Sequence, residues 1–104
     1  MKETNDHKDY IEVTVEFLSS LKEGIGLKDR KVKVQLTKPY TLQHLIEVLE
    51  KLYPKLQNKI KDSNKLLPYL LIAVNGYEVM PGTLDKKELS TGDEIMISYL
   101  GVGG

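Results

Sequence analysis

The sequence predicts an α+β domain in which one main helix packs on one face of a mixed β-sheet of four to five strands. Several short segments alternate apolar and polar residues, as half-buried strands do. One longer segment has its apolar residues at helical spacing. The chain has 104 residues and is 40% hydrophobic, which suits a single domain with its own core.

Alternation predicts the first two strands. In the first, the residues facing one side are Ile11, Val13, Val15 and Phe17. Residues 31–36 alternate in the same way and predict a second strand. Residues 19–30 should form a long connection between them, with room for one helical turn at the sheet edge.

The main helix is expected to follow Pro39, with Thr41 as its N-cap. Its apolar stripe consists of Leu42, Leu45, Ile46, Leu49 and Leu52. Pro54 ends the helix, because the residue before a proline is disfavoured in the α conformation. Residues 55–65 are interpreted as irregular, with their lysines on a solvated face: Lys55, Lys59, Lys61 and Lys65.

The apolar run 69–74 predicts a strand that is covered on both faces or nearly so. Asn75-Gly76 favours a hairpin turn, because both residues tolerate positive φ. Residues 77–80 then form a return strand, and residues 84–89 a short helical turn. Residues 91–93 turn the chain into the last strand, residues 94–100.

The order is therefore strand, strand, helix, strand, short strand, strand. With the first and last strands parallel at the centre and a right-handed crossover, this is the β-grasp (ubiquitin-like) layout. The domain should span residues 10–100. Residues 1–9 are expected to be a disordered arm and residues 101–104 a flexible tail.

Composition argues against several function classes. The fifteen basic and fifteen acidic residues cancel, so net charge does not favour nucleic-acid binding. Without cysteine, the chain has no thiolate for a metal site or a nucleophile. His7 and His44 have no evident oriented partner. The chain also lacks a signal-like or membrane-spanning apolar segment. We expect a cytoplasmic protein that is not an enzyme and holds no metal or cofactor.

Gly103-Gly104 are the most informative residues for function. Glycine has no Cβ, so this pair can enter a narrow channel and present the Gly104 carboxylate to another protein's site. An apolar patch near the tail would help to hold it there. By strand alternation, Leu18, Met96 and Leu100 should lie on the sheet face opposite the helix, and Val102 is the one side chain between the tail glycines.

The element order, the turn from Leu89 to Ile95 and Gly103-Gly104 resemble the ubiquitin-like sulfur carriers over residues 10–104. Residues 15–21 and the long segment after the helix are most similar to the ubiquitin-related modifier. The small subunit of molybdopterin synthase and the small archaeal modifier proteins follow closely. Many members have a proline shortly before Gly-Gly. This chain has Leu100-Gly101-Val102 there, which weighs against the molybdopterin assignment.

This resemblance implies that a ubiquitin-activating-type enzyme uses ATP to adenylate Gly104. A sulfur donor then converts the adenylate to a thiocarboxylate. The sulfur acceptor would be a tRNA uridine, through a thiolation enzyme, or a molybdopterin precursor, through the large synthase subunit. Alternatively, a protein lysine attacks the activated carbon. A non-catalytic β-grasp interaction module remains the alternative of another class.

Overall fold

The computed structural model describes residues 9–18 and 20–99. Their strands are β1 (Tyr10–Phe17), β2 (Lys31–Thr37), β3 (Lys61–Asp62), β4 (Lys65–Leu66), β5 (Leu70–Val74), β6 (Tyr77–Glu78) and β7 (Glu94–Tyr99). The helices are α1 (Ser20–Gly24), α2 (Leu42–Leu52) and α3 (Leu56–Ile60), with a 3-10 turn at Pro81–Thr83.

A five-stranded sheet in the order β2-β1-β7-β5-β6 forms the centre of the fold. Its central strands β1 and β7 are parallel, with Val15 opposite Ile95. The other neighbours in the sheet are antiparallel. The predicted β-grasp class and its central parallel pair are therefore confirmed.

The main helix begins and packs as its sequence predicts. The Thr41 hydroxyl accepts a hydrogen bond from the His44 backbone N–H at 3.2 Å and caps α2. Four of the five stripe residues are buried: Leu42, Leu45, Ile46 and Leu49. They share one core with the inward residues of β1 and β7. The fifth, Leu52, is 54% exposed, because it lies in the last turn before the chain bends away.

The prediction that residues 55–65 are irregular was wrong. They form α3 and the β3–β4 hairpin, whose turn residues Ser63 and Asn64 have positive φ. The helix forms because Leu56 and Ile60, one turn apart, are both fully buried in the core. Lys61 is not on a solvated face. Its ammonium lies 3.0 Å from a Glu50 carboxylate oxygen, and both side chains are largely buried.

Two predictions between β5 and β7 also needed correction. The return strand is limited to Tyr77–Glu78, and the helical turn lies at Pro81–Thr83, before the predicted residues 84–89. Residues 84–89 are bound to the start of α2 instead. The Leu89 N–H donates to the Tyr40 carbonyl, and the Gln43 N–H donates to the Leu84 carbonyl. The local hydrogen bonds, from the Lys86 and Lys87 N–H groups to the Thr83 carbonyl, form a single turn and do not continue into a helix over residues 84–89.

Both predicted mobile segments lie almost entirely outside the described residues. Of the arm, only Asp9 is described, and it is exposed. The tail and the last predicted strand residue, Leu100, are not described, and β7 ends at Tyr99. The arm and tail boundaries therefore stay predictions. None of the helices in the described ranges has the length and apolar character that crossing a membrane requires.

Candidate functional site

The sheet face opposite α2 is the first part of the candidate site. Met96 lies in the middle of β7, opposite Glu16 of β1 and Ala73 of β5. Its neighbours Ile95 and Ile97 point into the core and are almost completely buried. Since side chains alternate along a strand, Met96 projects from the face that the helix leaves open, where it is half-buried.

Around Met96 the open face forms a shallow depression. Ala73 and Met96 supply apolar surface, while Glu16, Glu94 and Lys31 supply charges. The Glu16 carboxylate also lies 3.1 Å from the Arg30 guanidinium. The face thus combines a small apolar floor with a charged rim, which is the usual composition of a protein-binding surface.

Leu18 lies at the end of the same face. It directly follows β1, its backbone N–H donates to the Ile97 carbonyl at 3.0 Å, and it is half-buried. The structure therefore places Leu18 and Met96 on the predicted side of the sheet. The other proposed partner-binding residues, Leu100 and Val102, lie outside the described residues, as do Gly103 and Gly104.

The end of β7 is the second part of the candidate site, and we call it the tail root: Tyr99, Tyr69 and the Lys59 carbonyl. The Tyr99 hydroxyl donates to that carbonyl at 2.7 Å. The Tyr69 and Tyr99 rings are 5.8 Å apart and inclined at 52°. Burial, and secondarily the neighbouring Tyr69, raise the pKa of Tyr99 above its ordinary value.

Sequence reasoning missed the tail root, because its hydrogen bond joins residues that are far apart in the chain. The spacing of Leu56 and Ile60 is a signal that could have revealed α3. No local pattern indicates that the Tyr99 hydroxyl reaches the end of that helix.

Gly104 lies five residues beyond Tyr99. A fully extended chain spans at most about 3.3–3.6 Å per residue, so Gly104 reaches no more than roughly 18 Å from the tail root. Any protein that reacts with Gly104 must therefore also approach this end of the sheet. Met96 and Leu18 lie on a face that such a protein can contact.

Among the described residues, neither a metal site nor a histidine-based catalytic site is evident. No group of three or more His, Asp or Glu side chains in residues 9–18 and 20–99 is arranged to hold a metal ion. His44 has its Nδ1 atom 3.7 Å from a carboxylate oxygen of Glu47, on the same helix.

Comparison with known proteins extends this picture. The model of the ThiS family matches residues 15–98. No curated protein sequence matches the chain significantly. Among solved structures, SAMP1 from Haloferax volcanii superposes with a TM-score of 0.73 at 21% identity, covering 89% of this chain and 99% of that one.

Two further solved structures have the same fold. The Amycolatopsis orientalis BexX/CysO complex matches with a TM-score of 0.68 at 25% identity, covering 88% of this chain and 99% of that chain. Urm1 from Trypanosoma brucei matches with a TM-score of 0.66 at 20% identity, covering 93% and 99%. Together with the open sheet face and the glycine pair beyond β7, the family match leads to one conclusion. This chain belongs to the ThiS family and is a member of the ubiquitin-like sulfur carriers.

Proposed function

We propose that this protein carries sulfur, and modifies other proteins, through the carboxylate of Gly104. The observation that carries the proposal is the position of Gly103-Gly104, a few residues beyond the central strand of a ThiS-family β-grasp domain. In this role the protein is a co-substrate of an activating enzyme and not an enzyme itself.

The chemistry follows from the low reactivity of a carboxylate. A Gly104 oxygen attacks the α-phosphorus of ATP bound to the activating enzyme, and pyrophosphate leaves. The resulting mixed anhydride has an electrophilic carbon. A persulfide sulfur attacks this carbon and displaces AMP, and a thiol then reduces the sulfur–sulfur bond to leave the thiocarboxylate. Gly103 allows the backbone to pass through the narrow channel that this reaction requires.

The proposed acceptors are a tRNA uridine, which receives the sulfur, and protein lysines, which attack the activated carbon directly. One structural relative, the small archaeal modifier protein 1 of H. volcanii, is by its name a modifier and supports the modifier role by analogy. Transfer to a molybdopterin precursor is the alternative. The three acceptors are distinguished by the product: a thiolated RNA, an isopeptide-linked conjugate or a sulfur-containing pterin.

Recognition by the activating enzyme is proposed to use the open sheet face. Met96 and Leu18 offer apolar contacts, and Glu16, Glu94 and Lys31 form a rim of mixed charge around Met96 in which Glu16 is paired with Arg30. We expect the enzyme to present apolar side chains to Met96 and charges complementary to this rim. Leu100 and Val102 would extend this contact along the tail.

Intact-mass measurement tests the chemistry. The protein is incubated with the activating enzyme of its own host and ATP, with and without a persulfide donor. We expect a gain of one adenylate without the donor, and the exchange of one oxygen for sulfur with it. Deleting Gly104, or adding one residue after it, should abolish both products. If the variants react like the original chain, or the original chain never reacts, the protein is better described as an interaction module.

A pair of methionine variants tests the docking face. Met96→Gln removes apolar surface from the open face, whereas Met80→Gln makes the same change at a residue that is 62% exposed beyond β6. Glutamine is preferred to aspartate because Glu16 lies directly opposite Met96. We expect Met96→Gln to weaken binding to the activating enzyme by about tenfold, as loss of a central contact typically does. Equal affinities of the two variants would exclude this face as the docking site.

A further inference from the structure

We propose that Tyr99 is a positioning residue that fixes the point from which residues 100–104 leave the domain, by bonding its hydroxyl to the end of α3. The effect on the reaction at Gly104 rests on the proposed function. The role of the Tyr99 hydrogen bond in holding the end of β7 does not depend on it. It assigns a role to a helix and a tyrosine that the proposed chemistry does not otherwise use.

The hydroxyl bond is short and long-range. The Tyr99 hydroxyl donates to the Lys59 carbonyl at 2.7 Å, across 40 positions of the sequence. Carbonyls in the last turn of a helix lack a partner within the helix. Tyr99 supplies one from the last residue of β7. The end of the central strand and the end of α3 are therefore joined directly.

The acceptor is itself held in place from two sides. Leu56 and Ile60 of α3 are fully buried, so the helix is anchored in the core on both sides of Lys59. The Lys59 side chain lies against Gly24 of α1, so closely that a Cβ atom at Gly24 would come within 3.0 Å of it. Tyr99 thus bonds to a fixed group and not to a mobile loop.

A second contact orients the tyrosine ring. The Tyr69 ring lies 5.8 Å from that of Tyr99 and is inclined to it. Such tilted aromatic pairs are favourable arrangements. Tyr69 remains 49% exposed, so it supports Tyr99 from the solvent side without enclosing it.

A fixed exit point matters because the tail is short. With Tyr99 held, Gly104 can reach at most roughly 18 Å from a defined origin. If Tyr99 is released, each freed residue adds about 3.5 Å of reach and one more backbone unit to be ordered in the activating enzyme. The carboxylate would then spend less time at the reacting position, although the docking face stays unchanged.

Tyr99→Phe tests the proposal, with Tyr77→Phe as the matched control. Both variants lose one hydroxyl and keep the ring. Tyr77 is 79% exposed on β6, and no hydrogen bond of its hydroxyl is seen within the described part of the chain. Native-state hydrogen exchange of the isolated protein is measured first. We expect Tyr99→Phe to accelerate exchange at Ser98 and at its partner Leu71 on β5, near the end of β7, by about 2- to 10-fold, the range expected for one hydrogen bond.

The kinetic measurement is ATP–pyrophosphate exchange with the host's activating enzyme. We expect Tyr99→Phe to lower kcat by about 2- to 10-fold, with KM unchanged within about twofold, and Tyr77→Phe to match the original chain. A purely structural role of the hydroxyl would lower thermal stability and leave the kcat of the folded protein unchanged. That result, or unchanged exchange at β7, would overturn the inference. Failure of the original chain to react would instead count against the proposed function, since the hydrogen-exchange result does not depend on it.

Discussion

The two ends of the central β1–β7 pair are stabilised in different ways. At the start of β7, the Asp93 carboxylate accepts hydrogen bonds from the Asn75 side-chain amide at 3.0 Å and from the Ser90 N–H at 2.8 Å. The Asn75 amide oxygen accepts the Glu94 N–H at 2.9 Å. We call this the turn end, because polar groups of two adjacent turns close it.

The tail root at the other end of β7 has a different construction. Its short side-chain hydrogen bond joins the Tyr99 hydroxyl to the Lys59 carbonyl at 2.7 Å, and a longer one of 3.5 Å runs from the Ser98 hydroxyl to the Tyr99 carbonyl. Apolar packing also stabilises this end, since Leu21 of α1 and Leu56 and Ile60 of α3 are fully buried in the core that includes Ile97 of β7. The helices and β7 thus share one hydrophobic core.

This difference fits the two tasks of the strand. The turn end only has to connect strands, so a polar network can close over it. The tail root has to pass the chain on to residues 100–104, and packing in the core stabilises the strand that leads to them. We therefore expect apolar packing to contribute most of the stability at the tail root, and hydrogen bonds to contribute most of it at the turn end.

The largest effect is expected from Leu56→Ala. Leu56 is fully buried, so its truncation should leave a cavity beside the tail root and lower the free energy of unfolding by about 3 kcal/mol. Leu52→Ala is the matched control, because Leu52 is 54% exposed. It should cost less than about 1 kcal/mol. Urea unfolding of both variants provides the measurement. If both variants lost a similar amount of unfolding free energy, Leu56 would contribute no more to stability than an exposed leucine, which would contradict the packing of α3 in the core.

A smaller effect is expected from Asp93→Ala at the turn end. The variant leaves the Asn75 amide and the Ser90 N–H without their acceptor. Because the site is partly exposed, water can replace some of the lost bonding, and we expect a loss of about 1–2 kcal/mol in unfolding free energy. Asp85→Ala, at an exposed position in the turn after Pro81–Thr83, should change it by less than about 0.5 kcal/mol. Equal unfolding curves for the two would contradict the proposed importance of the network.

The smallest effect concerns the pH dependence of the tail root. The pKa of Tyr99 is raised in the folded state by burial and by Tyr69. The folded state therefore favours the protonated hydroxyl, which alone can donate to the Lys59 carbonyl. Its contribution to stability is complete below the ordinary tyrosine pKa and is lost as pH rises through the higher folded value.

Ultraviolet titration of the folded protein checks this direction. We expect one tyrosine to ionise at higher pH than the others, and Tyr99→Phe to remove that late step. Tyr77→Phe should leave it in place. A late step that survives in Tyr99→Phe would assign it to another tyrosine and leave the tail root without a pH-dependent bond.

Residues at the turn end show which structural features the local sequence predicts. Asn75-Gly76 predicts its hairpin, and the structure has Asn75 at φ 51° and Gly76 at φ 86°, values that asparagine and glycine adopt more readily than other residues. The alternation in β1 and the stripe of α2 likewise predict which side chains are buried. These patterns are local, and the physical preferences that produce them act over a few residues.

For residues 55–65 and 84–89, local sequence patterns do not predict the conformation. Both segments are weakly periodic, and tertiary contacts decide their conformation: Leu56 and Ile60 enter the core, and the Leu84 carbonyl and the Leu89 N–H bond to residues at the start of α2. The five residues of α3 make too few local hydrogen bonds to form a stable helix alone. Its packing against the rest of the domain therefore determines that it forms.

By itself, then, the sequence determined the fold class, the central parallel strands, the main helix and the placement of Met96 on the open face, because alternation and helical spacing follow from backbone geometry. Its glycine pair and its family resemblance are also the basis for the proposal that the Gly104 carboxylate is the reactive group. Only the tertiary structure decided that α3 exists, that Lys61 pairs with Glu50 and that Tyr99 reaches Lys59. Each of these depends on groups distant in sequence, which become neighbours only after the core has formed.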